Sequence, residues 1–183
     1  MTIKAIGISG SLRKASTNSG LLRCAKANLP AGMELEIVDI SAIPFYNGDI
    51  AAGDRPAVLL ELLAKIAAAD ALVLACPEYN YSLAPALKNV IDWASREADN
   101  KVLNGKPVAI LGAAGGMGSS RSQYHLRQVC VFVNLLPLAK PEVFANAFAG
   151  GFDANGNVTD EAISKNVAAQ MAALQAWAKQ LQK

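Results

Sequence analysis

Two hydrophobic periods alternate along this chain, and that alternation restricts its possible folds more than any other feature. Short apolar runs with strand character occupy Ile3–Ile8, Leu35–Ile40, Ala71–Cys76, Val108–Gly112 and Leu138–Phe144. The first, third and fourth are almost continuously apolar, as strands covered on both faces must be. Helical stripes fall between them. Leu59, Leu62, Leu63 and Ile66 follow the i, i+3, i+4, i+7 spacing behind Pro56, a residue suited to a helix start. Leu87, Val90, Ile91 and Ala94 repeat the pattern after Pro85, and Leu126, Val129, Cys130 and Val133 repeat it again. A shorter helix is predicted over Thr17–Asn28. A last one is predicted over Thr159–Leu181, with Thr159 as N-cap and Val167, Met171, Leu174 and Leu181 on one stripe. Strands alternating with helices imply right-handed βαβ crossovers and a parallel sheet. The expected fold is therefore α/β, a three-layer sandwich around five parallel strands.

The 183 residues are enough for one good-sized core, and neither a repeat nor a linker divides them, so 1–183 reads as a single domain. The glycine- and asparagine-rich pieces at 46–54 and 149–157 read as surface excursions within it. With 17 basic and 15 acidic residues the formal charge is +2, leaving no basic field for nucleic acid. A single histidine, His125, excludes a histidine-rich metal site, and no metal is expected. Cys24, Cys76 and Cys130 are odd in number and form no CxxC pair, so they read as buried thiols in a reducing, cytoplasmic setting. The start of the chain lacks signal-peptide character. The most apolar stretch, Val58–Cys76, is broken by Glu61, Lys65 and Asp70, short of the roughly 20 apolar residues of a membrane span.

Parallel sheets bind ligands at the carboxyl ends of their strands, near the point where strand order reverses. Three strand-end loops are unusual here. The first, Ser9–Asn18, follows a buried strand and opens a helix, so its N–H groups converge on an anion site. Ser11, Ser16, Thr17, the Asn18 amide and Arg13 crowd into it. One guanidinium and the partial charge of a helix terminus suit a single terminal phosphate. Neither GxxxxGK[ST] nor GxGxxG is present, and no cysteine precedes Arg13 in the turn. Asp39 ends the second strand where a Rossmann domain places its ribose-binding acid; without the glycines it reads as a loop or cap carboxylate.

The second loop, Pro77-Glu78-Tyr79-Asn80-Tyr81-Ser82, combines two tyrosines with backbone groups able to meet a planar heterocycle. The third, Gly112–Arg121, contains Gly112, Gly115, Gly116 and Gly118, which permit close backbone approach.

GSLRKASTN after the first strand, PEYNYSLAPALKNVIDW after the third and the glycine loop running into SRSQYHLRQ together resemble the NADPH-dependent FMN reductase family, whose members include quinone, chromate and azo-dye reductases. The resemblance covers Ile3 to about Glu142. It implies a flavodoxin-like sheet of order 2-1-3-4-5 with noncovalent FMN at its switch point. Carried onto this sequence, it places the FMN phosphate against Ser11, Arg13, Ser16, Thr17 and Asn18. Pro77, Glu78, Tyr79, Asn80 and Ser82 would border the ring, chiefly through backbone groups, and Gly115, Gly116 and Ser119 would close its far side. NADPH or NADH would deliver hydride, and a small acceptor would then take two electrons at the same face, a ping-pong scheme. Dimers, often paired into tetramers, are also implied. No side chain is expected to act as nucleophile or general base. His125, Arg121 and Arg127 could serve the site or a subunit interface, and Trp93 and Trp177 are expected to pack helices. A flavodoxin-type electron carrier, an NAD(P)-binding Rossmann domain and a flavin-free phosphate-binding module are the competing readings.

Overall fold

The computed structural model describes residues 2–182. Strands β1 (Ile3–Ser9), β2 (Met33–Val38), β3 (Ala71–Ala75) and β6 (Pro107–Ala114) lie parallel in the order β2-β1-β3-β6. The fifth position is filled in two pieces, β7 (Leu136–Pro137) beside Pro107–Val108 and β8 (Val143–Asn146) beside Leu111–Ala114. The sheet order is thus the expected 2-1-3-4-5 with a divided outer strand. The predicted run Leu138–Phe144 was too simple: Pro137 and Pro141 supply no N–H to a ladder, and the chain leaves the sheet between them.

Side-chain alternation along the strands sends the apolar residues to two cores. Ile6, Ile8, Leu72, Leu74 and Ile110 meet α3 (Ala57–Ala68), α4 (Pro85–Ala94) and α5 (Ser120–Val133) on one face. Ala5, Val73, Ala109 and Leu111 meet α1 (Thr17–Ala27) and α6 (Glu161–Leu181) on the other. The predicted stripes are the buried ones, except that Val129 is only half-buried and Leu181 is exposed. Helix α6 is capped by Asp160 in place of Thr159. The Asp160 carboxylate accepts from the amides of Ala162 and Ile163 at 2.7 and 3.1 Å, while the Thr159 amide donates to the Gly151 carbonyl.

Trp93 is buried and donates its indole N–H to the Pro44 carbonyl, and Trp177 donates toward Leu136, so both pack elements together. Two elements lie in segments read as loops, a short helix α2 (Gly48–Ala52) and a hairpin, β4 (Glu78–Tyr79) with β5 (Ser82–Leu83). Among the described residues, no helix is long and apolar enough to cross a membrane.

Candidate active site

The β1–α1 turn is braced from within and from below. The Ser9 hydroxyl receives the Ser11 amide at 3.3 Å and the Ser19 hydroxyl at 3.1 Å. A Cβ on Gly10 would lie 2.9 Å from Pro77 and 3.0 Å from Leu87, so the turn presses directly on the loop after β3. Ser16 caps α1 by accepting from the Ser19 amide at 3.3 Å. Asn18, almost fully buried, reaches across to β6. Its amide donates to the Ala113 carbonyl at 2.8 Å and its oxygen accepts from the Ala113 amide at 3.0 Å. Asn18 therefore ties the start of α1 to the end of β6. The Ser11 hydroxyl, the Thr17 hydroxyl and the Arg13 guanidinium have no protein acceptor among the described residues, and neither do the Thr17 and Asn18 amides at the start of α1.

The loop after β3 is a tight hairpin. Asn80 and Tyr81 form its two-residue turn with φ of 51° and 66°, the paired left-handed values of a type I′ connection. Asparagine tolerates that conformation; tyrosine does so at a cost. The Arg121 guanidinium covers the Tyr81 ring at 3.7 Å and holds it there. Arg121 also donates from Nε to the Glu78 carboxylate at 2.7 Å, and the same carboxylate accepts the amides of Arg121 and Ser122 at 3.1 and 3.4 Å. Glu78 thus serves the N-terminus of α5, where a negative group is favoured. The His125 ring nitrogen Nδ1 lies 3.2 Å from the Ser82 hydroxyl, a further tie between helix and hairpin. Arg127 donates to the Leu138 carbonyl.

The glycine loop divides into an open part and a packed part. Gly115 and Gly116 face open space. Gly112 does not: a Cβ there would sit 2.3 Å from the Ser119 hydroxyl and 2.4 Å from the Cys76 carbonyl. Ser119, with φ of 70°, is wholly buried behind it and accepts from the Gln123 amide at 3.0 Å. Cys76 is buried too, and burial pushes its thiol up to about 11, so it is not poised as a nucleophile.

These pieces enclose a cleft of about 240 Å³. Ser11, Arg13, Ser16, Thr17 and Asn18 line one end, Pro77, Glu78 and Tyr79 one side, and Ala113, Ala114 and Gly115 the floor. Ala147 and Phe148 complete it from beyond β8. Asn80, Ser82, Gly116 and Ser119 lie outside this lining, in the hairpin turn and glycine loop that support it. The sequence reading omitted the alanines and Phe148. The strand-end rule could have found Ala147 and Phe148, which directly follow the outermost strand.

Free donors at a helix N-terminus, beside a wall presented mainly by backbone, fit a ligand with one dianionic end and one flat polar-edged ring. FMN has that form. The profile of the NADPH-dependent FMN reductase family matches residues 3–150. The chain is 49% identical to an NAD(P)H-dependent FMN reductase of Pseudomonas aeruginosa, over 98% of this chain and 97% of that one. It is 47% identical to an NAD(P)H:quinone oxidoreductase of Solanum tuberosum, over 98% and 94%. Among solved structures, the flavoenzyme NAD(P)H:(acceptor) oxidoreductase of Paracoccus denitrificans superposes with a TM-score of 0.87 at 31% identity, covering 98% of each chain. With its flavodoxin-like sheet, its strand-end cleft and these relatives, the chain belongs to the NADPH-dependent FMN reductase family, enzymes that couple NAD(P)H oxidation to FMN.

Proposed function

We propose that this chain is a ping-pong reductase passing two electrons from NAD(P)H to small planar acceptors of the quinone type. The observation that carries the site assignment is the contrast in hydrogen bonding around the cleft: the side chains of Ser11, Arg13 and Thr17 have no protein acceptors among the described residues, whereas Glu78, Ser82, Ser119, Arg121 and Ser122 on the opposite side are hydrogen-bonded. Ser11, Arg13 and Thr17, with the α1 amides, would hold the FMN phosphate, and Ser16 and Asn18 would fix the helix start that presents them. The backbone of Pro77–Tyr79 and Gly115 would border the ring, with Asn80, Ser82, Gly116 and Ser119 setting that wall from behind. Bound FMN would supply the redox chemistry, taking hydride from the nicotinamide and returning two electrons to the acceptor. The protein's part is to bind, orient and leave one face accessible, so no side chain of this chain is assigned as acid, base or nucleophile. With one face of the ring left accessible, both substrates would use it in turn, which is the ping-pong order.

Phe132, Val131 and Phe148 are each more than four-fifths exposed, which supports a homodimer or homotetramer covering part of that apolar surface. Free thiols at Cys24, Cys76 and Cys130 suit a cytoplasmic setting.

The test begins with the visible spectrum of the purified protein, followed by anaerobic addition of NADPH. A flavin spectrum that bleaches, and steady-state lines that stay parallel as quinone concentration is varied, are the expected results. No bound or reconstitutable flavin would overturn the cofactor assignment, and intersecting lines would overturn the kinetic order.

A further inference from the structure

A second groove, of about 430 Å³, opens on the other side of the β1–α1 turn, over the carboxyl ends of β1 and β2. Ser11 and Arg13 border both this groove and the FMN cleft, so the two adjoin across the turn. Its volume is in the range of small-molecule sites.

The groove's lining includes the cations Arg13 and Lys14 and one fixed carboxylate, Asp39. Lys14 is exposed and engaged in no ion pair among the described residues. Asp39, just past β2, is oriented by its own turn: one carboxylate oxygen accepts the Ser41 amide at 2.8 Å and the other accepts the Ser41 hydroxyl at 2.9 Å. A carboxylate has about four acceptor positions, so two remain for a ligand. Leu12 and Ile37 are among the apolar residues of the same lining. An anion for Lys14, a diol for Asp39 and a flat apolar face for Leu12 and Ile37 are the parts of a nucleoside 5′-phosphate.

We infer that this groove binds the adenosine 5′-phosphate half of the NAD(P)H co-substrate, with phosphate at Lys14 and the ribose hydroxyls at Asp39. This rests on the proposed NAD(P)H reaction. Strands lie about 4.8 Å apart, so the β2 end is roughly 10 Å from the β3 end where the ring wall stands, within the span of an extended dinucleotide. A carboxylate that accepts the ribose diol also repels a 2′-phosphate, so Asp39 sets the balance between NADH and NADPH.

The experiment uses the FMN-saturated protein, so that the phosphate end of the cleft is filled, and AMP as probe. Calorimetric titration should show AMP binding that Lys14→Gln weakens several-fold, with FMN content unchanged. In steady state, Lys14→Gln should raise KM for both coenzymes while kcat holds. Asp39→Asn should raise the NADPH-to-NADH ratio of kcat/KM by about tenfold, a modest like-charge effect for exposed groups. Equal AMP affinity in wild type and Lys14→Gln, or an unchanged coenzyme ratio in Asp39→Asn, overturns the inference. A protein that carries FMN but oxidises neither coenzyme overturns the proposed reaction instead, and the AMP titration still reads the groove by itself.

Discussion

The two sides of the cleft are built on opposite plans. At the β1–α1 turn the backbone is braced internally and the outward donors, Ser11, Arg13 and Thr17, are left without protein partners. Across from it, the hairpin and the start of α5 satisfy one another: Glu78 with Arg121 and Ser122, Arg121 with Tyr81, Ser82 with His125. The first side can meet charge with side chains. The second offers a backbone surface whose supporting side chains are already engaged, so it should recognise a ring by shape and by fixed amides. A small loop can be strongly polar in sequence and still present little free polarity.

The largest expected effect tests the brace beneath the first side. Asn18→Ala leaves the Ala113 amide and carbonyl without their buried partner, at about 1–3 kcal/mol for each unsatisfied group. Chemical denaturation should show a loss of about 2–4 kcal/mol, and FMN binding should weaken with it. Next comes the charge contact itself. Arg13→Ala should weaken FMN affinity by about 1.5–3 kcal/mol, read by equilibrium titration, while stability of the apoprotein stays nearly unchanged. Glu78→Gln probes the opposite side. Its glutamine oxygen can still accept from the α5 amides, and Arg121 is partly solvent-screened, so a stability loss of about 1 kcal/mol is expected with only a small change in FMN affinity. If Glu78→Gln costs as much FMN affinity as Arg13→Ala, the contrast between the two sides fails.

Two smaller measurements sharpen it. The Cys76 thiol lies under the second wall, and burial lifts it from an ordinary value near 9 to about 11. The folded state favours the protonated thiol, so its contribution is complete below pH 9 and is lost as pH rises toward 11. Cys76→Ala should flatten part of the decline in stability across that window, measured by denaturation at a series of pH values. Tyr81→Gly relieves left-handed strain of about 1–2 kcal/mol and removes an Arg121 stacking contact of about 0.5–1 kcal/mol. Its net change in melting stability should be under about 1 kcal/mol, and a large loss would mean that the ring carries the wall.

Most of the fold was legible because strand and helix periods report burial locally. The stripes on α3, α4 and α5, and the uninterrupted runs of β1, β3 and β6, needed no long-range information. What stayed hidden depended on distant partners or on competing local bonds. The prolines that divide the outer strand were visible, but the apolar run through them argued for continuity. Thr159 resembled a cap until its amide was drawn to Gly151, leaving Asp160 to cap α6. The three site loops were identifiable from composition and position, whereas the inward turn of Ser119 and the engagement of Asn18 with Ala113 follow from contacts that no local pattern encodes.

The excursion at 149–157, which looked like surface decoration, bears directly on the FMN side. Asp153 gathers the amides of Asn155 and Asn157, and the resulting turn docks on α1: Arg23 donates to Asn157 at 2.7 Å, and a Cβ on Gly20 would fall 1.7 Å from the Gly156 carbonyl. The helix that presents the phosphate donors is thus seated by a turn 134 residues further along the chain. Two stretches far apart in sequence must therefore meet before the donor turn is held in place, so FMN capture should follow the docking of the 149–157 turn on α1.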